Sequence, residues 1–220
     1  MVRQARSEAT RQKIINAAVD LFSELGYPAT GLGDIIQRAE MTKGALYYHF
    51  DSKEALATAI IEEGGTTLLR AFQGIRESSS PALESMIHGV FVSANLLVSD
   101  KLARTGTQLL RAFGEFNDAA ARTYGVWVEQ MTASARQAQS EGDVRSDVDA
   151  SAVGELVVGA MIGGELISSA MSATSDFVLR LSRSWEILLR AITTDESLPY
   201  FREFLARESM RHHQPTLSLD

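Results

Sequence analysis

Residues 42–53 read Thr42-Lys43-Gly44-Ala45-Leu46-Tyr47-Tyr48-His49-Phe50-Asp51-Ser52-Lys53, and the organisation of the whole chain follows from this stretch. Four consecutive rings, Tyr47 to Phe50, cover every face of any helix that carries them, so a short helix at the edge of a small domain cannot bury them all. Some must face a partner. Thr42 is a favourable N-cap, Lys43 adds a positive charge in the first turn, and Gly44 permits close backbone approach. Tyr and His donors follow. A helix built this way is suited to entering the DNA major groove with its N-terminus first. Leu46 and Phe50 are assigned to the core.

Working outward, the segment before it predicts a short helix over 32–39 with Ile35 and Ile36 inward, followed by a tight turn. Upstream, Ile14, Ala18, Leu21, Phe22 and Leu25 fall on one face of a helix over 10–25, with Gly26 placed as a C-cap and Pro28 preventing continuation. Downstream, Lys53 opens a fourth helix, and Glu77-Ser78-Ser79-Ser80-Pro81 forms a small, polar linker. Further helices are expected near 82–99, 101–117, 119–140, 149–172, 175–193 and 198–210, with a polar turn over 141–147. Nothing alternates with period two for long enough to predict a strand. The chain therefore reads as all-α, with a helix-turn-helix domain over 1–53, a larger helical domain over 54–211 and a frayed tail over 212–220. No internal repeat or low-complexity tract interrupts it.

Composition narrows the function. With 220 residues, 45% hydrophobic and 22% charged, the chain is long enough for two packed domains. No apolar run approaches the roughly 18 to 20 residues needed to span a bilayer, and the N-terminus leads into an amphipathic stretch rather than a signal sequence. A cytoplasmic protein with no membrane partner is expected. The absence of cysteine removes disulfides, thiolate metal sites and cysteine nucleophiles. A net charge of −7 at first argues against nucleic acid, yet its distribution is uneven. Residues 1–60 hold seven basic groups (Arg3, Arg6, Arg11, Lys13, Arg38, Lys43, Lys53) against seven acidic ones, so the deficit lies entirely beyond them. The first thirteen residues hold four basic groups and only Glu8, which reads either as a basic arm for a phosphate backbone or as a solvated helix start.

Catalytic readings find little support. The four histidines are His49, His88, His212 and His213. A four-helix di-iron site would need two Glu-x-x-His pairs, whereas the chain offers one Glu84 to His88 spacing of four. The nucleotide-binding and nucleophile-elbow motifs are missing. No enzymatic activity, cofactor or metal site is expected.

The residues over 7–67 resemble the DNA-binding domain of TetR-family repressors. The resemblance rests on Ala9-Thr-Arg-Gln-Lys-Ile-Ile-Asn-Ala-Ala18, on Leu21-Phe22 with Gly26-Tyr27, on Asp34-Ile35, and on Thr42-Lys-Gly-Ala-Leu-Tyr-Tyr-His-Phe50 with Lys53-Glu54. The opening Met1-Val-Arg-Gln-Ala-Arg6 and the Thr-Lys-Gly-Ala-Leu-Tyr string are similar to the γ-butyrolactone receptors of actinomycetes; residues 147–152 and Trp127 agree with that subgroup. The resemblance implies a homodimer that binds a palindromic operator in double-stranded DNA and is released by a small apolar effector, of the γ-butyrolactone type. It makes Lys43, Gly44 and Tyr47 groove-facing, and Thr42, Tyr48, His49 and Lys53 phosphate contacts. Tyr47 and His49 have an alternative place, packed between the third and first helices. For the effector it implies Trp127, with Phe91, Leu110, Phe113 and Met131 as further lining; apolar stripes of this kind also serve as plain core. The helices near 149–172 and 175–193 are expected to pair with their copies, Gly159, Ala160, Gly163 and Gly164 allowing close approach and Trp185, Ile187 and Leu188 supplying apolar area; burial inside the monomer is the alternative. Two departures stand out. Gly31 replaces the usual hydroxyl N-cap of the second helix, which is expected to leave Asp34 without its capping-box partner, and Glu40 occupies the turn position normally held by glycine. A sensor of another metabolite or drug, or a helical protein that has lost DNA recognition, remains the competing reading.

Overall fold

The computed structural model describes residues 2–78, 81–113, 118–171 and 176–212. Among these, ten helices and no strands are found: α1 (Val2–Leu25), α2 (Leu32–Arg38), α3 (Lys43–His49), α4 (Lys53–Ser78), α5 (Ala82–Ser99), α6 (Lys101–Phe113), α7 (Asp118–Glu141), α8 (Ala150–Ala170), α9 (Asp176–Ile192) and α10 (Leu198–His212). The all-α expectation holds. Of the anticipated frayed tail over 212–220, His212 is instead the last residue of α10, and 213–220, like the end of the sixth helix over 114–117, lie outside the described residues.

The chain forms two compact units, one of residues 1–68 with 99–123, the other of 69–98 with 124–220. The first unit thus gathers the start of α4 and all of α6 around the helix-turn-helix, so the boundary at residue 53 marks the end of a motif rather than the edge of a packed body. Most of its predicted core is buried, Ile14, Ala18, Leu21 and Phe22 of α1, Ile35 of α2 and Leu46 of α3, and Ile15 joins them; Leu25, expected on the same face, is instead 56% exposed where α1 ends, and Ile36 is only half-buried. Helix α4 crosses α6 at a glycine pair. A Cβ on Gly64 would stand 2.9 Å from the Leu102 carbonyl oxygen, and one on Gly106 would stand 2.8 Å from that of Ile60. Only glycine at both positions lets the two backbones meet.

Helix α1 begins eight residues before the predicted start. Residues 3–9 contain no glycine or proline, and Arg, Gln, Ala and Glu are all good helix formers, so nothing stops the helix from extending back. The basic arm is therefore a helix. The missing hydroxyl before α2 is half compensated: the Asp34 carboxylate still accepts from the Gly31 N–H at 2.9 Å, so one arm of the capping box survives without the other.

In the second unit Leu83, Met86, Ile87, Val90, Phe91 and Ala94 of α5 are buried, as are Phe177, Leu181, Trp185 and Leu189 of α9 and Phe201 and Leu205 of α10. The polar turn after α7 is pinned to the end of α9: Arg145 N–H donates to Ile192 O at 2.8 Å and Thr194 N–H to Asp143 O at 3.0 Å. Helix α10 is tied to α5 by Tyr200, whose hydroxyl donates to Glu84; that hydrogen bond raises the Tyr200 pKa. Burial lowers the pKa of His212.

By length and composition α5 and α8 are apolar enough to cross a membrane, which corrects the expectation that no such segment exists. Over half of the α5 window is buried inside the second unit, and α8 carries Glu155 and Glu165 on its length.

Glu40 has φ +51°, the left-handed region expected of glycine at that place in the turn. Its exposed carboxylate stands 3.7 Å from the Lys13 ammonium, a surface pair of small worth. Relief of backbone strain outweighs that pair, so Glu40→Gly is expected to stabilise the protein by up to about 1 kcal/mol, or about 2 to 4 °C in melting temperature. A fall in melting temperature would show instead that the carboxylate supports the turn.

Candidate nucleic-acid interface

Helix α3 is capped as its sequence demands. The Thr42 hydroxyl accepts from the Ala45 N–H at 3.2 Å, and the Phe50 N–H closes the last turn on Leu46 O. Leu46 and Phe50 point into the core, being 0% and 5% exposed. With those two anchored, Thr42, Lys43, Gly44, Tyr47 and Tyr48 are left exposed, and His49 is half-buried. Tyr48, at 77%, is more exposed than any other aromatic side chain among the described residues. A Cβ added to Gly44 would meet nothing within 4 Å, so no packing contact among the described residues requires a glycine here. The alternative of Tyr47 packed between helices does not describe its position; the Lys43 ammonium lies 5.7 Å from its ring centre on the outer face. His49 meets the Tyr48 ring edge-on at 5.0 Å.

Lys43 differs from most cations of this unit, Arg6 of α1 being likewise exposed and without a carboxylate partner among the described residues. Arg11 pairs with Glu63 and lies over the Phe50 ring. Arg38 donates to both oxygens of Glu24 at 3.1 and 2.9 Å, which lowers the Glu24 pKa, and Lys101 pairs with Asp20 at 2.7 Å. Among the described residues no carboxylate lies at Lys43. The first unit carries eleven basic and twelve acidic groups, and Lys43 leaves one positive charge without a carboxylate partner on the exposed face of α3.

Lys53 has a different place from the one foreseen. Its ammonium donates to Tyr27 O and Thr30 O, both at 2.9 Å, and stands 4.3 Å from the Tyr27 ring centre. Two of its three donors are thus held by the turn between α1 and α2. Tyr27 is itself a hub, edge-on to Phe22 at 5.2 Å and to Phe113 at 4.9 Å, and burial raises its pKa. Sequence reasoning missed this latch, because no local spacing links residue 27 to residue 53.

The effector candidates divide between the units. Leu110 is buried in the first, and Phe113 there gives its edge to Tyr27. In the second, Phe91 is fully buried and stacks on His212 at 5.7 Å. Trp127 is half-buried and edge-on to Tyr124, and Met131 follows one turn later, buried. The same face of α7 carries Gln130 and Ser134, whose Nε2 and Oγ are buried with no hydrogen-bond partner. The sequence reading did not single these two out.

The expected dimer residues are also sorted. Trp185 is 3% exposed and Gly164 lies under the Phe177 ring, so both belong to the monomer's own packing. Gly159 and Gly163 face open space, while Leu156 and Ile187 are 60% and 73% exposed. Leu156, Ala160, Ile187 and Leu188 border an apolar groove of about 320 Å³ between α8 and α9.

These features define a helix-turn-helix protein with a separate helical C-terminal body, and comparison with known proteins agrees. Residues 14–60 match the family model of bacterial regulatory proteins of the tetR family, and residues 79–194 match that of a tetracyclin repressor-like C-terminal domain. The chain belongs to the TetR family of bacterial regulatory proteins. It is 32% identical over 192 residues to the A-factor receptor protein of Streptomyces griseus, covering 87% of this chain and 67% of that one. Among solved structures, a γ-butyrolactone receptor described as ArpA-like superposes with a TM-score of 0.77 at 31% identity, covering 94% of this chain and 99% of the other. CprB of Streptomyces coelicolor, solved with its biological operator sequence, superposes with a TM-score of 0.74 at 31% identity and the same coverage.

The two lysines are expected to separate in experiment. Lys53→Met removes charge-assisted bonds to two carbonyls and a ring contact, a loss of about 1 to 3 kcal/mol, and should lower the melting temperature by roughly 3 to 8 °C. Lys43→Ala should leave it unchanged. Equal melting temperatures for Lys53→Met and the parent protein would show that the latch carries no weight.

Proposed function

We infer that the chain is a transcriptional repressor, not an enzyme, that acts in the cytoplasm as a homodimer on a palindromic operator and is released by a small effector of the γ-butyrolactone type. The observation that carries the DNA-binding part is the face of α3, where Lys43, Gly44, Tyr47 and Tyr48 stand exposed around a buried Leu46 and Phe50. In the dimer two such helices sit about 34 Å apart and enter successive major grooves. Lys43, Gly44 and Tyr47 face the base edges; Thr42, Tyr48 and His49 contact phosphates. Lys53 supports this from behind, by fixing where α4 begins, and has one donor left for a phosphate.

The dimer forms through α8 and α9, whose exposed Leu156 and Ile187 flank an apolar groove on one side of the monomer. That use accounts for the apolar length of α8 without a membrane. Ile187→Glu is expected to yield monomers in sedimentation or light scattering; an unchanged dimer would move the interface elsewhere.

The effector is held at Trp127 and Met131, with Gln130 and Ser134 supplying hydrogen bonds. Two buried polar atoms without partners cost about 1 to 3 kcal/mol each, a cost that a ligand carrying a carbonyl or hydroxyl would relieve. An apolar chain against Trp127 and Met131 with a polar ring at Gln130 and Ser134 fits that arrangement. Helix α4 contributes residues 53–68 to one unit and 69–78 to the other, so a tilt of this single helix carries the signal, at a coupling of about 1 to 3 kcal/mol.

The test uses DNA selected by the purified protein. Binding should weaken by about a thousandfold or more between 50 and 200 mM salt, as phosphate contacts require, and Lys43→Ala should cost about 1 to 3 kcal/mol and relax sequence preference. A salt-insensitive interaction would overturn the assignment. Trp127→Ala should keep the dimer and operator affinity yet fail to release DNA when a γ-butyrolactone is added. Full release by that variant would remove Trp127 from the effector site.

A further inference from the structure

Away from the face of α3, three side chains of metal-ligating type converge inside the second unit. Glu208 and His212 are four residues apart on α10 and so share a face. His88 meets them from α5. His88 Nδ1 lies 2.5 Å from Glu208 Oε2, and His212 Nε2 lies 3.4 Å from the same oxygen. One ligand atom from each of the three falls within 4.8 Å of the others. Glu208 is 1% exposed.

The surroundings orient these groups. The other carboxylate oxygen, Oε1, accepts from Arg211 at 2.7 Å, which leaves Oε2 as the oxygen facing the imidazoles. The His212 ring stacks on Phe91, and its Nδ1 meets the Asn95 amide. Its second nitrogen, Nε2, is buried and has no hydrogen-bond partner. A network of hydrogen bonds alone is therefore incomplete: one imidazole satisfies the carboxylate, and the other keeps an orphaned ring nitrogen in a place where such an atom is costly.

We propose that His88, Glu208 and His212 form a binding site for a divalent transition metal of the zinc type, which clamps α10 onto α5. Two imidazole nitrogens and one carboxylate oxygen suit Zn2+ and its neighbours, whereas Ca2+ and Mg2+ prefer oxygen throughout. Ligands about 2.0 to 2.2 Å from a tetrahedral ion stand a little over 3 Å apart, the separation already found between His212 Nε2 and Glu208 Oε2. His88 need only draw back by about 1 Å to take the third corner. Water fills the fourth. The contacts of Asn95 and Arg211 are those of outer partners that fix a ligand's orientation. Arg211 also brings a positive charge close to the ion, which sets the affinity below that of a four-ligand structural site. The proposal is independent of the DNA-binding reading.

The experiment uses the full chain, stripped with a chelator and dialysed. Titration with ZnCl2 followed by calorimetry should give one ion per chain, and Co2+ in its place should give the visible absorption of a nitrogen and oxygen ligand set. Zinc in excess should raise the melting temperature by about 5 to 10 °C, reversed by chelator. His88→Ala and His212→Ala should each weaken zinc binding by about 100-fold or more, while Glu203→Gln, exposed on the same helix, keeps it. If the histidine variants fold poorly, the Co2+ spectrum and stoichiometry of the parent protein still decide. No uptake above the dialysis blank, or uptake that survives loss of both histidines, overturns the site and leaves a buried hydrogen-bonded cluster.

Discussion

The helix-turn-helix depends on one cation held by backbone. Lys53 is the first residue of α4, and its ammonium spans two carbonyls of the turn that joins α1 to α2, under the ring of Tyr27. Helix α3 ends only a few residues earlier, with Phe50 in the core. Fixing Lys53 therefore fixes the exit of α3, while Leu46 fixes its middle and the Thr42 cap its entry. A helix of two turns has too little buried area to hold its own orientation, so its precision is borrowed from this frame. Phe113 extends the frame to α6 through Tyr27.

The same economy governs charge. A chain with net charge −7 approaches a polyanion only if its basic groups are arranged well. In the first unit Arg11, Arg38 and Lys101 are spent on Glu63, Glu24 and Asp20, and Lys53 on carbonyls. These pairs hold helices together and cancel repulsion among acidic groups. Lys43 is left without a carboxylate on the exposed face of α3, beside Tyr47.

What the sequence disclosed followed the range of the interactions involved. Caps, apolar stripes and the left-handed turn at Glu40 are local, so the positions of α2, α3 and the first core were legible from spacing alone. Even the half capping box at Gly31 is a three-residue matter: the hydroxyl and carboxylate arms each make their own hydrogen bond, so one survives without the other. The early start of α1 was missed because a run of good helix formers carries no positive signal of where it begins. The Lys53 latch spans 26 residues and uses carbonyls, which every residue has, so no residue type announces it.

The second unit shows a deeper limit. An apolar stripe meant for the monomer's core and one meant for another surface have the same periodicity, so Trp185 and Ile187 look alike in sequence although one is buried and the other is not. Distance along the chain hides chemistry in the same way. His88 and Glu208 are 120 residues apart and meet at 2.5 Å, whereas the Glu84 to His88 spacing that drew attention in sequence leads to no shared site: Glu84 turns to Tyr200 and His88 to Glu208. The informative local signal was the carboxylate and imidazole at i and i+4 on α10, one face of one helix, which becomes a cluster only because α5 lies opposite with a third ligand at matching height.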